Sequence, residues 1–173
     1  MMRMLCVLAL LGLAGCGFEP LYATGPSAAN VPDALKQIAV MPLKDRSGQL
    51  LQTALQRRLQ AGGSVSTAPY NLDIALRQSV QGFGIRGDAA PTRQRVRMVA
   101  DYRLLIAEED KEVFSGTAFA DTTFDIVNSE YATFIAEETA TERNTQIIAE
   151  RILSRLALYF RAVAEAEKKR GTR

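Results

Sequence analysis

Apolar and polar residues alternate most regularly over Tyr70 to Gln81. Tyr70, Leu72, Ile74, Leu76 and Val80 fall on one side, and Asn71, Asp73, Arg77, Ser79 and Gln81 on the other. A period of two over this length predicts a half-buried strand. The pattern recurs over about Thr92 to Glu108, with Val96, Met98, Ala100, Tyr102, Leu104 and Ile106 opposed to Arg93, Arg95, Arg97, Asp101 and Arg103. Between the two, Gly82-Phe83-Gly84-Ile85-Arg86-Gly87-Asp88, closed by Pro91, reads as a glycine-rich connection. Glu108-Glu109-Asp110-Lys111 then makes a polar hairpin turn into a further strand near Glu112 to Phe124. The inward face of that strand stays open. Gly116, Ala118 and Ala120 are small on one side, while Val113, Thr117 and Phe119 stand on the other.

Ahead of these strands, Ile38, Ala39, Val40, Met41 and Leu43 form a short apolar run within Lys36 to Leu43, predicting a first strand covered on both faces. Asp45-Arg46-Ser47-Gly48 turns the chain, and Ser47 is a suitable N-cap. Leu51, Ala54, Leu55 and Leu59 then recur at helical spacing up to a stop at Gly62-Gly63. From about Glu130 to Lys168 there is no proline or glycine. The seam of Ile148, Ile152, Leu156, Tyr159 and Val163 predicts one long helix able to cover a sheet. The expected fold is a two-layer α+β domain in the order β-α-β-β-β-α. It has a four-stranded antiparallel or mixed sheet, two helices on one face, and a polar, arginine-bearing face opposite.

The first residues belong to a different class. Met1 to Arg3 gives a basic start, Met4 to Ala14 is nearly all apolar, and small residues precede Cys16, as in an export signal with its cleavage site. The run is too short to span a bilayer, which takes about 20 apolar residues. Leu13-Ala14-Gly15-Cys16 resembles the lipobox of bacterial lipoproteins, which implies cleavage before Cys16, a diacylglycerol thioether on its sulfur and an acyl chain on its new amine. Stable anchoring takes at least two membrane signals, and several acyl chains on one residue supply them. Gly17 stands where an aspartate would, in that lipoprotein class, favour the inner membrane, so the expected address is the periplasmic side of the outer membrane. The expected layout is a signal over 1–15, an acylated N-terminus and tether over 16–35, and one domain over 36–173. Cys6 leaves with the signal, so no pair remains for a disulfide.

Composition narrows the chemistry. There is no histidine, which removes the commonest general base and metal ligand. Without a free thiol, zinc sites of the Cys/His type and Ser-His or Cys-His catalysis are excluded. A net charge of +2 on 173 residues gives no field for nucleic acid.

Gly15-Cys16-Gly17-Phe18-Glu19-Pro20-Leu21-Tyr22 resembles the N-terminus of the LPS-assembly lipoprotein family, LptE, of alphaproteobacterial type. The helix ending in Leu156-Ala157-Leu158-Tyr159-Phe160 is similar too. The resemblance implies a non-enzymatic lipoprotein with no cofactor beyond its covalent lipids. It implies a plug in the lumen of an LptD-like outer-membrane β-barrel that helps the barrel assemble and binds lipopolysaccharide (LPS). It also implies a basic residue for LPS contact in the loop before the third strand, where Arg86 stands.

Geometry adds further candidates. Arg93, Arg95 and Arg97 point the same way and cover about 13 Å of strand, a spacing suited to an anionic glycolipid head. The alternative is a solvated face balanced by Asp73, Asp101 or Asp121 on neighbouring strands. Phe18 and Tyr22, near the anchor, are candidates for barrel or membrane contact. Gly82, Gly84 and Gly87 lack the Lys-Ser/Thr of a phosphate loop. Glu108-Glu109-Asp110 and Glu137-Glu138 read as solvated surface. A second class of reading is a lipid-anchored periplasmic hydrolase using carboxylates such as Asp121 and Asp125, and a third is an auxiliary lipoprotein of another envelope lipid transporter.

Overall fold

The structure is a computed structural model that describes residues 30–59, 68–85, 91–127 and 129–171. Its elements run α1 (Asn30–Lys36), β1 (Ile38–Val40), α2 (Asp45–Leu59), β2 (Tyr70–Ile85), β3 (Pro91–Ile106), β4 (Lys111–Asp125) and α3 (Glu130–Gly171). The strands form one sheet in the order β1-β2-β3-β4. The first pair is parallel and the other two are antiparallel, so the sheet is mixed. The α+β architecture and the order of strands and main helices are those the periodicity predicts.

The register fixes two faces. Leu72, Val96, Met98, Ala100, Tyr102 and Leu104 are at most 1% exposed and point to the helices. Ala118 and Ala120 join them, which settles the inward face of β4. Their small size lets α3 lie close over β4 and β3, seating Ile148, Ile152 and Leu156 with no exposure at all. Leu51, Leu55 and Leu59 of α2 close the core from the β1 side. Each such leucine contributes about 1.5–3 kcal/mol. At the far end of α3, Tyr159 stacks on Phe114 at 4.9 Å and Phe160 meets Tyr70 edge-on at 5.4 Å. These rings fasten the helix end to the first residues of β2 and β4.

Four local readings are corrected by the structure. The tether expected up to residue 35 gives way to α1 at Asn30, because Pro32 is tolerated in the first turn of a helix. Leu35 of that helix is buried in the core. The first strand is only Ile38–Val40. Helix α2 begins at Asp45, with φ 65°, so Gly48 is a helical residue and not part of a turn. A Cβ there would stand 2.9 Å from the Leu43 Cβ, which is why glycine is needed. Finally, Gly82 to Ile85 continue β2 instead of leaving the sheet. Gly84 takes φ 75°, and its carbonyl accepts the Thr92 hydroxyl at 2.9 Å, holding the end of the hairpin together. Gly62 and Gly63 lie outside the described residues.

Two of the polar groups buried with the core differ in how they are satisfied. Asn144 stands on the apolar seam of α3 one helical step before Ile148 and has no exposure. Its amide donates to the Val96 carbonyl at 2.9 Å, and its oxygen accepts the Thr122 hydroxyl at 2.7 Å. It thereby ties α3 to β3 and β4 at once. The Tyr102 hydroxyl, in contrast, is buried without a hydrogen-bond partner among the described residues. Burial pushes it above the usual tyrosine range, and the Arg155 charge pulls weakly the other way.

Candidate functional site

The sheet face turned away from the helices carries alternating charges because β2, β3 and β4 are in antiparallel register. Phe83, Arg93 and Asp125 share one row, Ser79, Arg97 and Asp121 another, and Asp73 and Arg103 are paired nearer the hairpin between β3 and β4. The result is a set of cross-strand ion pairs: Arg93 to Asp125 at 2.7 Å, Arg97 to Asp121 at 3.8 Å, Arg103 to Asp73 at 2.5 Å and Arg77 to Asp101 at 2.7 Å. All eight side chains are at least a third exposed. Solvent screens these exposed pairs, and their main effect is to fix register.

Asp101 is the most constrained of these acids. It accepts the Thr117 hydroxyl and an Arg77 nitrogen, each at 2.7 Å, which hold its carboxyl below the usual range. A carboxyl whose folded pKa is depressed adds stability above its unfolded pKa and loses it as pH falls through the folded value. Acidification below the ordinary aspartate range therefore removes the Asp101 contribution. In Thr117→Val, a carboxyl-carbon NMR titration of Asp101 should show a midpoint moved upward, toward the ordinary range. An unmoved midpoint would place the cause elsewhere. Asp73 acts in the opposite sense, hydrogen-bonding the Arg103 guanidinium and raising its already high pKa.

The three arginines of β3 are thus gathered on one face, but not in one condition. Arg93 and Arg97 are paired with carboxylates. Arg95, facing Thr123 and Gln81 across its neighbours, has no carboxylate within ion-pair distance among the described residues. Its guanidinium lies over the Phe83 ring, 5.4 Å from the centroid. Phe119, on β4, is flanked by two cations, Arg97 at 5.6 Å and Arg151 of α3 at 5.1 Å. Neither Phe83 nor Phe119 is legible as a platform from composition. For Phe119 the usable signal is its odd position on β4, which sets it beside Arg97 once β3 and β4 pair. Phe83 falls among glycines that read as a connection, so it carries no such signal.

Asp121 and Asp125, the acids a hydrolase would use, are held by Arg97 and Arg93 on this open face. Arg86, Cys16, Phe18 and Tyr22 lie outside the described residues. Among the described residues no group of three or more Cys, Asp or Glu is placed to hold a metal ion, and no helix is long and apolar enough to cross a membrane.

A second surface stands at the start of α3. Tyr131, Phe134 and Ile135 are 74%, 56% and 40% exposed and share one helical stripe. Beside them, between the first turns of α2 and the same part of α3, a groove of about 330 Å3 is lined by Asp45, Leu50, Phe134, Glu137, Glu138 and Glu142. Arg46 crosses it to Glu138 at 2.9 Å.

A family model described as LptE, lipopolysaccharide-assembly, matches residues 35–156. No curated protein sequence matches the chain. Among solved structures, a protein described as a lipoprotein from Caulobacter crescentus is 28% identical, with a TM-score of 0.63 over 76% of this chain and 96% of its own. A minor lipoprotein from Acinetobacter baumannii, 15% identical, matches with a TM-score of 0.56 over 70% of this chain and 89% of its own. Rare lipoprotein B from Shewanella oneidensis, 11% identical, gives 0.52 over 76% and 96%. The last two are likenesses of fold.

Proposed function

The chain belongs to the LptE family of lipopolysaccharide-assembly proteins, and on that footing we propose that it is an outer-membrane lipoprotein partnering an LptD-like β-barrel. It sits in the barrel lumen as a plug, helps the barrel assemble and assists LPS into the outer leaflet. The observation that carries the reading is the family match across residues 35–156, nearly the whole folded domain. The Gly15-Cys16-Gly17-Phe18-Glu19-Pro20-Leu21-Tyr22 octet supports acylation at Cys16 and delivery to the outer membrane. In this reading the protein is not an enzyme, and its only attached groups are the acyl chains on Cys16. Phe18 and Tyr22 lie next to that anchor, at the membrane or the barrel wall. The exposed Tyr131, Phe134 and Ile135 stripe is of the kind an apolar partner surface covers.

Arg95 is the cation we assign to LPS contact, flanked by Arg93 and Arg97, with Arg86 as a further contact. It needs no carboxylate to be displaced, and arginine binds phosphate bidentately. Reversal of all three strand arginines would set glutamates against Asp121 and Asp125 and disturb the sheet. Arg95→Glu is the cleaner variant. It should keep the thermal midpoint within a degree or two and weaken LPS binding by about tenfold, the equivalent of one charge-assisted hydrogen bond. Unchanged affinity would remove Arg95 from the site. Cys16→Ala should leave the protein in the soluble periplasmic fraction; retention in membranes would contradict the anchor.

Depletion tests the function itself. LPS should fail to reach the cell surface and accumulate behind the outer membrane. Normal surface LPS with a defect in another envelope lipid would transfer the protein to a different transporter.

A further inference from the structure

We propose that the outer edge of β4 is a docking site for an extended, acidic strand of a partner protein, paired backbone to backbone. This goes beyond the LPS-assembly reading and does not depend on it. The strand runs from Lys111 to Asp125 at the end of the sheet order, and among the described residues nothing pairs with its outer side. Edge strands are ordinarily guarded by lysine, proline or short length. From Val113 to Ala120 this one carries no charge and no proline.

The direction of the free groups follows from one contact. Arg151 reaches from α3 and donates to the Phe119 carbonyl, so that carbonyl points outward. In a strand, the N–H and C=O of one residue point the same way and alternate with the next residue's. Thr117, Phe119 and Asp121 therefore offer donors and acceptors at the edge, while Ala118 and Ala120 bond to Ala100 and Met98 of β3. Arg151 occupies one edge carbonyl as an incoming amide would, and leaves the rest open.

The chemistry of the occupant comes from the groove beside this edge. It is about 680 Å3 and runs between β4 and α3, with Phe119, Glu150, Arg151, Arg155 and Leu158 in its wall. Glu150 is engaged by Arg58 of α2 at 2.8 Å, which leaves the two arginines to set the charge of the groove. Phe119 and Leu158 are 47% and 55% exposed, so they suit alternate apolar side chains of a docked strand. Arg155 is exposed and has no carboxylate within ion-pair distance among the described residues. Arg151, once it releases the Phe119 carbonyl to the new strand, is free for a second carboxylate. A second copy of this chain is the wrong occupant, because edge-to-edge pairing of β4 with itself would bring Arg151 and Arg155 of both copies together.

The test uses the full mature protein and a short peptide of alternating valine and glutamate. Binding should slow amide exchange at Thr117, Phe119 and Asp121 and leave Ala118 and Ala120 unchanged. Arg155→Glu should weaken binding by about tenfold or more. Thr117→Pro removes an outward N–H without breaking a ladder bond and should abolish binding, while Thr117→Val, which lacks only the hydroxyl, should bind as the parent does. The proposal is overturned if the edge amides show no protection, or if a valine–lysine peptide binds equally well. It is overturned equally by a dimer of the protein alone that Thr117→Pro dissociates, or by binding of anionic phospholipid vesicles in the groove that survives Thr117→Pro.

Discussion

Asn144→Ala should destabilise the protein by about 2–4 kcal/mol, a large share of the stability of a domain this size. Its amide and its oxygen each hold a partner on a different strand: Val96, which like Asn144 has no solvent access, and Thr122, which is half-buried. Truncation leaves the buried Val96 carbonyl unpaired, which costs about 1–3 kcal/mol, and it removes the partner of the half-buried Thr122 hydroxyl along with the packing of the side chain. Asn144→Leu restores volume without the hydrogen bonds, so it should remain destabilised. Adding Thr122→Val to Asn144→Leu should recover part of the loss, since removing both partners is milder than removing one. Urea unfolding of the single and double variants measures this, and strict additivity would mean the two side chains do not act together.

Gly116→Ala should cost about 1–3 kcal/mol by overpacking. A Cβ at Gly116 would stand 2.6 Å from the Tyr102 hydroxyl and 2.8 Å from its ring carbon Cζ. The ring is 1% exposed and lies beside Phe114, 6.2 Å between centroids, so it has little room to retreat. Tyr102→Phe alone should be neutral or mildly stabilising, because the hydroxyl it removes is buried without a partner among the described residues. In the Gly116→Ala background it should rescue only partly, since Cζ remains. Tyr102→Leu should rescue more fully. A Gly116→Ala variant with parental stability would mean that β4 slides to make room, which a changed β3–β4 register by NMR would reveal.

These two sites also mark where the sequence stops being readable. The faces of β2 and β3 are legible because a period of two separates Leu72 and Ile74 from Asp73, and Val96 and Met98 from Arg95 and Arg97. The long helix is legible from the lack of any breaker between Glu130 and Lys168. The acids that answer the arginines are present in the sequence, yet register decides that Asp125 meets Arg93 and that Arg95 meets none among the described residues. Gly82 and Gly84 look like a loop because glycine is the general signal for one. Here the chain needs a positive φ at Gly84 inside a continuing hairpin. Asn144 had a signal, as a polar residue on the seam one helical step before Ile148, but nothing in the sequence names its partners. The inward face of β4 was ambiguous because alanine is small enough to be read either way. Contact with α3 resolves it.

The proposed lipid anchor, the arginine face and the exposed stripe on α3 belong to one proposal, of a wedge without catalytic chemistry held in the outer membrane against a large β-barrel. Affinity purification of the acylated protein from detergent-solubilised outer membranes tests that account most directly. It predicts a stoichiometric complex with a large β-barrel that stays assembled through size exclusion. Recovery of the protein alone, from membranes in which an LptD-like barrel is present and folded, would contradict it.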